Sequence, residues 1–237
     1  MISVIVPVRN EKAMLEMRLP IFSEYVRRGC EVLIVCSNSE DGSEEFVKEH
    51  PEFVFVNAGD RRRGEACNQA AEVAQGDILL ILHVDTLLSG SLLVEIEQAL
   101  CSSAVVGGGF RIAYEPVSNR NSRYVLTVSR TVVNLRTRYF KWFAGDQALF
   151  VRKSVFERVG GFRNLPMMED QELVKRLKRQ GRLVALPHSV WVSTRRYLGN
   201  GEFRGMSTIA FIHILYSLRV SPTILANIYK TFLPKER

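Results

Sequence analysis

Three acids and one histidine stand where they could do chemistry. In "DILLILHVD" the five apolar residues Ile78 to Leu82 make an ordinary strand, and His83, Val84 and Asp85 then carry the chain out of it. A carboxylate at a strand-to-loop transition can hold a hard divalent cation, Mn2+ or Mg2+, against a phosphate oxygen while water fills the remaining positions. His83 could join as a ligand to manganese. Strand alternation directs it opposite Asp85 until the backbone turns, and a lone histidine is more often a hydrogen-bonded structural group. The other two acids, Glu169 and Asp170, open the helical pattern "MEDQELVKRLKRQG". Acids at that position stabilise a helix amino terminus. A carboxylate fixed there could equally take a proton from an attacking hydroxyl, if the fold brings it across the same pocket. The combination favours group transfer to an alcohol or amine over redox chemistry.

The elements that must position these groups alternate. "ISVIVPV" (2–8), "EVLIVC" (31–36), "FVFVN" (53–57) and "DILLIL" (77–82) have strand character. Helical patterns at 11–28, 43–50 and 64–74 separate them, the first with a kink or junction expected at Pro20. Helices between short apolar strands imply an α/β fold whose mostly parallel central sheet is covered on both faces. Ligands of such sheets collect beyond the carboxyl ends of the strands. Arg9, Asn10 and Glu11, then Ser37 to Asp41, then His83 and Asp85 all fall on that edge. Any one cluster reads as a capped loop, whereas three on one edge favour a shared site.

The second half is less regular. "VVGGGFRIAYE" (105–115) reads as a strand entered through flexible glycines, 121–138 as a basic helix, and 147–153 as a strand. A short helix at 154–162 and the amphipathic helix at 168–181 follow, and "LVALP" and "VWVSTRR" close the sheet. From Ile209 to Leu218 the chain is apolar apart from His213 and Ser217. That run is too short to span a bilayer, and Arg219 and Pro222 interrupt it. Two helices packed on the domain, or lying on a membrane surface, both fit.

With 237 residues, 46% hydrophobic and 24% charged, the chain is globular rather than disordered and long enough to bury one large core. The expected division is a domain over 1–200 and a helical carboxyl-terminal extension over 201–237. Cys30, Cys36, Cys67 and Cys101 lack CxxC spacing and read as buried thiols of a reducing compartment rather than a zinc site. "ISVIVPV" lacks the basic leader of a signal peptide, so the expected location is the cytoplasm, either free or peripheral on the cytoplasmic face of a membrane. Residues 1–118 carry a net charge of −8 and residues 119–237 one of +15. The positive half favours an anionic partner, such as a phosphate, a nucleic acid or an anionic lipid surface.

Taken in order, "ISVIVPVRNE", "SNSEDGS", "GEACNQAAEVAQGDILLILHVDT", "GDQALFVRKSVFERVGGF" and "PMMEDQELVKRLKRQGRL" resemble the successive motifs of family 2 glycosyltransferases with the GT-A fold. The likeness covers about residues 2–196 and is greatest to the short bacterial branch associated with radical-SAM or selenium-domain proteins. It implies a nucleotide-diphosphate sugar donor and inversion at the anomeric carbon. The resemblance places Pro7, Arg9, Asn10 and Glu11 against the donor, and Asp85, preceded by His83, on the metal. Gly145, Asp146 and Gln147 fall on the acceptor side, and Asp170 of the Glu169–Asp170 pair matches the catalytic base. Cys36 and Ser37 stand where the family commonly has two aspartates, although Ser39 and Asp41 keep later positions of that motif. Arg63 and Asn68 match the branch's third loop and following helix. Arg195 and Arg196 match its late arginine pair, whose guanidinium donors suit phosphate oxygens.

The reading is therefore transfer of a sugar to a hydroxyl-bearing acceptor, a lipid-linked one among the options. A nucleotidyltransferase is the nearest enzymatic alternative, and a nonenzymatic nucleotide- or nucleic-acid-binding module the alternative of another class. The chain has no GxxxxGK[ST] loop, zinc-finger spacing or RNA-binding aromatic motif, and its acidic first half weakens a uniform nucleic-acid footprint.

Overall fold

The structure, a computed structural model, describes residues 1–195 and 202–233. Four strands, β1 (Ile2–Val8), β2 (Glu31–Cys36), β3 (Val54–Asn57) and β4 (Ile78–Ile81), pair in parallel in the order β3-β2-β1-β4. Their residues are apolar on both faces because helices cover both. These are α1 (Lys12–Arg27), α2 (Ser43–Lys48) and α3 (Arg63–Val73). The sheet continues through β7 (Leu149–Arg152), β6 (Val105–Tyr114), β8 (Arg182–Val192) and the short β5 (Thr86–Leu87). β7 runs antiparallel to both its neighbours, and β6 and β8 run parallel. Completing the layers are α4 (Leu93–Leu100), α5 (Arg120–Phe140), α6 (Lys153–Arg158), α7 (Glu169–Leu177), α8 (Glu202–Ser217) and α9 (Pro222–Phe232). This is the expected α/β, GT-A-like arrangement, with a largely parallel sheet between helices and helices at the carboxyl terminus.

The sheet separates two apolar layers. One holds Phe22, Tyr25, Ile34, Leu80 and Phe150, and the other Ile5, Leu33, Ala70, Leu79 and Phe143. Burying each large side chain contributes roughly 2 kcal/mol. A third, smaller cluster of Met168, Ile212, Tyr216 and Leu225 fastens α8 and α9 beside the start of α7. The carboxyl-terminal helices therefore pack on the domain. No helix among the described residues is long and apolar enough to cross a membrane. The boundary expected at residue 200 lies outside the described residues.

Three details depart from expectation. Helix α1 runs unbroken through Pro20, whose missing N–H falls on the exposed side where water can satisfy the freed carbonyl. Cys36 and Cys67 are buried, but Cys30 is only half-buried and Cys101 is exposed. The glycines of "VVGGGF" are not a flexible entry to β6. They lie buried inside it because its neighbours come too close for a side chain: a Cβ on Gly108 would sit 2.2 Å from the Val184 carbonyl oxygen and 2.7 Å from the Phe150 ring.

Gly108→Ala is accordingly expected to destabilise the fold by about 3 kcal/mol, because backbone rather than a pliable side chain opposes the methyl group. The midpoint of urea unfolding checks this, and an unchanged midpoint would contradict the close approach.

Candidate active site

The carboxyl edge of the parallel strands is built from loops that hold one another. The Asn10 backbone turns left-handed (φ 54°), which Asn tolerates better than most side chains. Its side-chain oxygen accepts from the Glu40 N–H at 2.8 Å, and its own N–H donates to the Ser39 hydroxyl at 3.1 Å. Asp41 accepts from the Lys12 N–H at 2.8 Å and the Ser43 N–H at 3.0 Å, while Ser43 accepts from the Glu11 N–H. Burial works against the charged form of Asp41. The Lys12 and Ser43 donors outweigh it and hold the carboxyl below its ordinary range. Ser39 and Asp41 thus join the loop after β1 to the loop after β2. Cys36 and Ser37, in the usual aspartate positions, are buried, and the Asn38 side chain instead bonds the carboxylate of Asp60 at the next loop. Pro7 pairs in register with Val35 inside the sheet, Arg9 is exposed at the edge, and the Arg195 guanidinium reaches across to Glu11. Arg196 lies outside the described residues.

Beside these loops the acids converge. Asp85 is 4% exposed, and its carbonyl oxygen accepts from the Ser193 N–H at the end of β8. Asp170 opens α7, where its two carboxylate oxygens accept from the Gly145 N–H at 2.5 Å and the Gln171 N–H at 2.7 Å. Asp146, in the 3-10 turn Gly145–Gln147, has a buried Oδ1 with no hydrogen-bond partner among the described residues. Burial foremost, and then the charges of Asp170 and Asp85, push its carboxyl up to about 6, against the pull of Arg136. The field at Asp146 therefore places all three aspartates at one locus.

Arginine 63 organises the other wall. Its Nε and Nη2 donate to Glu169 Oε1 at 2.7 and 2.6 Å, and its Nη1 donates to His83 Nε2 at 3.0 Å. A guanidinium has only donors, so His83 Nε2 is the acceptor of a neutral ring. Burial opposes the charge of Arg63, but Glu169 and Asp170 overcome it and raise its pKa above the ordinary arginine value. His83 Nε2 thus already receives a cationic donor. The ring also packs on Gly145, where a Cβ would lie 2.6 Å from Nε2. Asn68 bonds both the N–H and the carbonyl of Phe162 at 2.8 Å, so its amide pins that turn. Gln147 is fully buried. Its amide donates to the Phe110 carbonyl and the Thr137 hydroxyl and accepts from the Ala144 N–H, holding the acidic turn against β6 and α5.

No three His, Cys, Asp or Glu side chains among the described residues are gathered closely enough to bind a metal ion by themselves. The donor chemistry nevertheless fits a hard dication that takes its other ligands from phosphate and water. Oxygen donors are present, and the orphaned oxygen of Asp146 marks negative charge that nothing nearby neutralises in full.

Sequence reasoning missed Arg136, Trp142 and His213. Arg136 projects from α5 toward Asp146 and Asp170, lies 5.5 Å from the Trp142 ring and bonds His213 Nδ1 at 3.4 Å. Burial pulls its pKa down while those two aspartates hold it up. Burial, and then Arg136, lower the His213 pKa to about 4, so the ring is neutral at pH 7. Arg136 is one of six basic residues between Arg120 and Lys141, and no local spacing singles it out.

A profile of the family described as "Glycosyl transferase family 2" matches residues 3–160. The "Probable glycosyltransferase YdaM" of Bacillus subtilis (strain 168) is 23% identical over 207 residues, covering 76% of this chain. The chain spans 47% of that relative's length. Among solved structures, the mannosyltransferase PcManGT from Pyrobaculum calidifontis, in complex with GDP-Man and Mn2+, is similar at a TM-score of 0.62 and 22% identity over 96% of this chain and 69% of that one. S. aureus TarS 1-349 is similar at 0.61 and 16% over 98% and 70%. Mannosyl-3-phosphoglycerate synthase from Rubrobacter xylanophilus is similar at 0.57 and 18% over 92% and 74%. At these identities the structures share the fold, and the profile, which matches well over half of the sequence, identifies the chain as a member of glycosyl transferase family 2.

Proposed function

We propose that the protein transfers a sugar, with inversion, from a nucleoside-diphosphate donor to an acceptor hydroxyl. One observation carries the reading: the charges of Asp170, a carboxylate suited to take a proton, and of Asp85, one suited to face a cation, are both felt at Asp146, and Asp170 also accepts from the Gly145 N–H next to it. Two N–H donors fix the direction of Asp170, and each of its oxygens keeps a further lone pair for an incoming hydroxyl. Oxygen then attacks the anomeric carbon as Asp170 takes its proton, and the bond to the diphosphate breaks on the opposite face. No covalent sugar–enzyme intermediate is needed.

The donor lies along the carboxyl edge of β3-β2-β1-β4, near Pro7, Arg9, Asn10 and Glu11. Asp60 offers a carboxylate there in place of the missing aspartates. Arg63 and Arg195 face the diphosphate, and Glu169 keeps Arg63 charged and in place. Ser39, Asp41, Asn68 and Gln147 act by holding these loops. Asp85, with Asp146 beside it, would hold Mn2+ or Mg2+, which offsets the charge that develops on a departing diphosphate. His83 positions Arg63 rather than binding the metal. Arg63, Asn68 and the late arginines are also what favour the radical-SAM/selenium-domain-associated branch. PcManGT, a relative in fold, is described with GDP-Man and Mn2+, which supports the same donor class and ion for this chain. Release of pyrophosphate from a nucleoside triphosphate, instead of sugar transfer, would mark a nucleotidyltransferase.

Asp170→Asn is expected to lower turnover about a thousandfold, or roughly 4 kcal/mol of transition-state stabilisation, while leaving donor binding intact. Turnover over a donor and acceptor panel, with product anomers read by NMR, tests this. Retained configuration or undiminished turnover would defeat the mechanism.

Calorimetry of nucleoside-diphosphate binding is expected to show at least about tenfold tighter binding when Mn2+ is added, with the gain lost in Asp85→Asn. Equal metal enhancement in both proteins would remove Asp85 from the ion.

A metal-free pH series reports on Asp146. An aspartate ionises near 3.8 when unfolded and at about 6 here, so between those values the folded chain keeps a proton that the unfolded chain has released. Stability therefore falls as pH rises from about 4 to 6 and then levels. Asp146→Asn flattens this dependence and is up to about 3 kcal/mol more stable than the parent at pH 7. Urea midpoints in chelator at several pH values check the sign.

A further inference from the structure

Helix α5 buries Ser122, Leu126 and Thr137 on its inner face. Its outer face leaves Tyr124, Val128, Val132, Leu135 and Tyr139 exposed, the two tyrosines at 72% and 66%. These five are four, four, three and four residues apart, the spacing that aligns side chains on one stripe of a helix. Single exposed apolar residues are ordinary, but a row along four turns is not. The adjoining helix α8 repeats the feature. Its Ile212 and Tyr216 are buried, while Phe211 and Ile214, and Leu218 just past its end, are exposed. A helix apolar on both faces is one that expects cover on both.

Apart from Glu202 at the start of α8, the charge on these helices has one sign. No Asp or Glu occurs between Glu115 and Asp146, a stretch that holds Arg120, Arg123, Arg130, Arg136, Arg138 and Lys141. None occurs between Glu202 and Glu236 either, where Arg219 and Lys230 are exposed. Only Arg136 of the α5 arginines turns inward to the acidic site.

We propose that the outer faces of α5, α8 and α9 dock the protein on an anionic lipid bilayer, with the α5 stripe as the principal contact. The apolar row enters the boundary between headgroups and acyl chains. The flanking arginines, Arg120, Arg123, Arg130 and Arg138, meet the lipid phosphates, their aliphatic stems lying along the apolar surface. A second copy of the chain is the competing occupant, but pairing two such faces would bring like charges together without any acid to offset them. The inference stands on surface chemistry alone and does not depend on the reaction proposed above.

Cosedimentation of the full chain with vesicles tests it. Pelleting is expected with phosphatidylcholine vesicles containing about one-third phosphatidylglycerol, not with phosphatidylcholine alone, and is expected to fall at least tenfold as salt rises from about 0.05 to 0.5 M. The triple variant Tyr124→Ser, Val132→Ser, Tyr139→Ser is expected to lose at least about tenfold in partitioning. Arg120→Ser and Arg138→Ser are expected to lose about fivefold each. All change exposed side chains, so melting temperatures stay within about 2 °C of the parent. No pelleting with anionic vesicles, equal pelleting with neutral ones, or pelleting that the α5 variants leave intact would overturn the proposal. So would light scattering that showed a dimer broken by the triple variant, because the stripe would then be a protein interface.

Discussion

Negative charge packed into a small space is the constraint around which the molecule is arranged. Asp85, Asp146 and Asp170 come from a strand end, a tight turn and a helix start, and water is too scarce at Asp146 to screen them from one another. Two arginines from different elements bound this locus, Arg63 from α3 and Arg136 from α5. Arg136 is largely removed from water and is tolerable there because the acids are present, whereas Arg63 stays partly exposed and pairs with the buried Glu169. Removing one partner of such an arrangement leaves the others as uncompensated buried charge. Acids and arginines therefore hold each other in place.

Much of the polar chemistry around this locus is fastening. Asn68, Gln147, Ser39 and Asp41 commit their side chains to backbone groups or to neighbouring loops. They matter to the site as struts matter to a frame. A carboxylate a few tenths of an ångström out of line is a poor base, and loops would supply that error freely unless tied. His83 belongs with them through its contacts with Arg63 and Gly145.

The first half of the fold was legible because its signals are local. β1 and β2 fall at the residues their apolar runs mark, and the polar clusters that follow lie at one edge because parallel strands leave no other place for them. Legibility fell where the determining contact is distant in sequence. The glycines of β6 read as flexible in isolation, and their purpose appears only once Val184 and Phe150 lie against them. Helix α4 and the two-residue strand β5 were not foreseen, the latter being too short to have a period. At the site, Asp85 and Asp170 could be named from position alone. Arg136 could not, since choosing it among the arginines of α5 requires knowing which way that helix is turned.

Met168 joins two parts of the protein that a linear domain division would separate. Its backbone is left-handed (φ 65°), an uncommon state for a residue with a side chain, and it directly precedes the Glu169–Asp170 pair. Its side chain is a plug in the small apolar cluster made by Ile212, Tyr216 and Leu225. The hydrophobic seating of the last two helices thus clamps the torsion from which α7 departs. The tail is a splint for the start of α7, and loosening that seat would let the acid swing out of alignment.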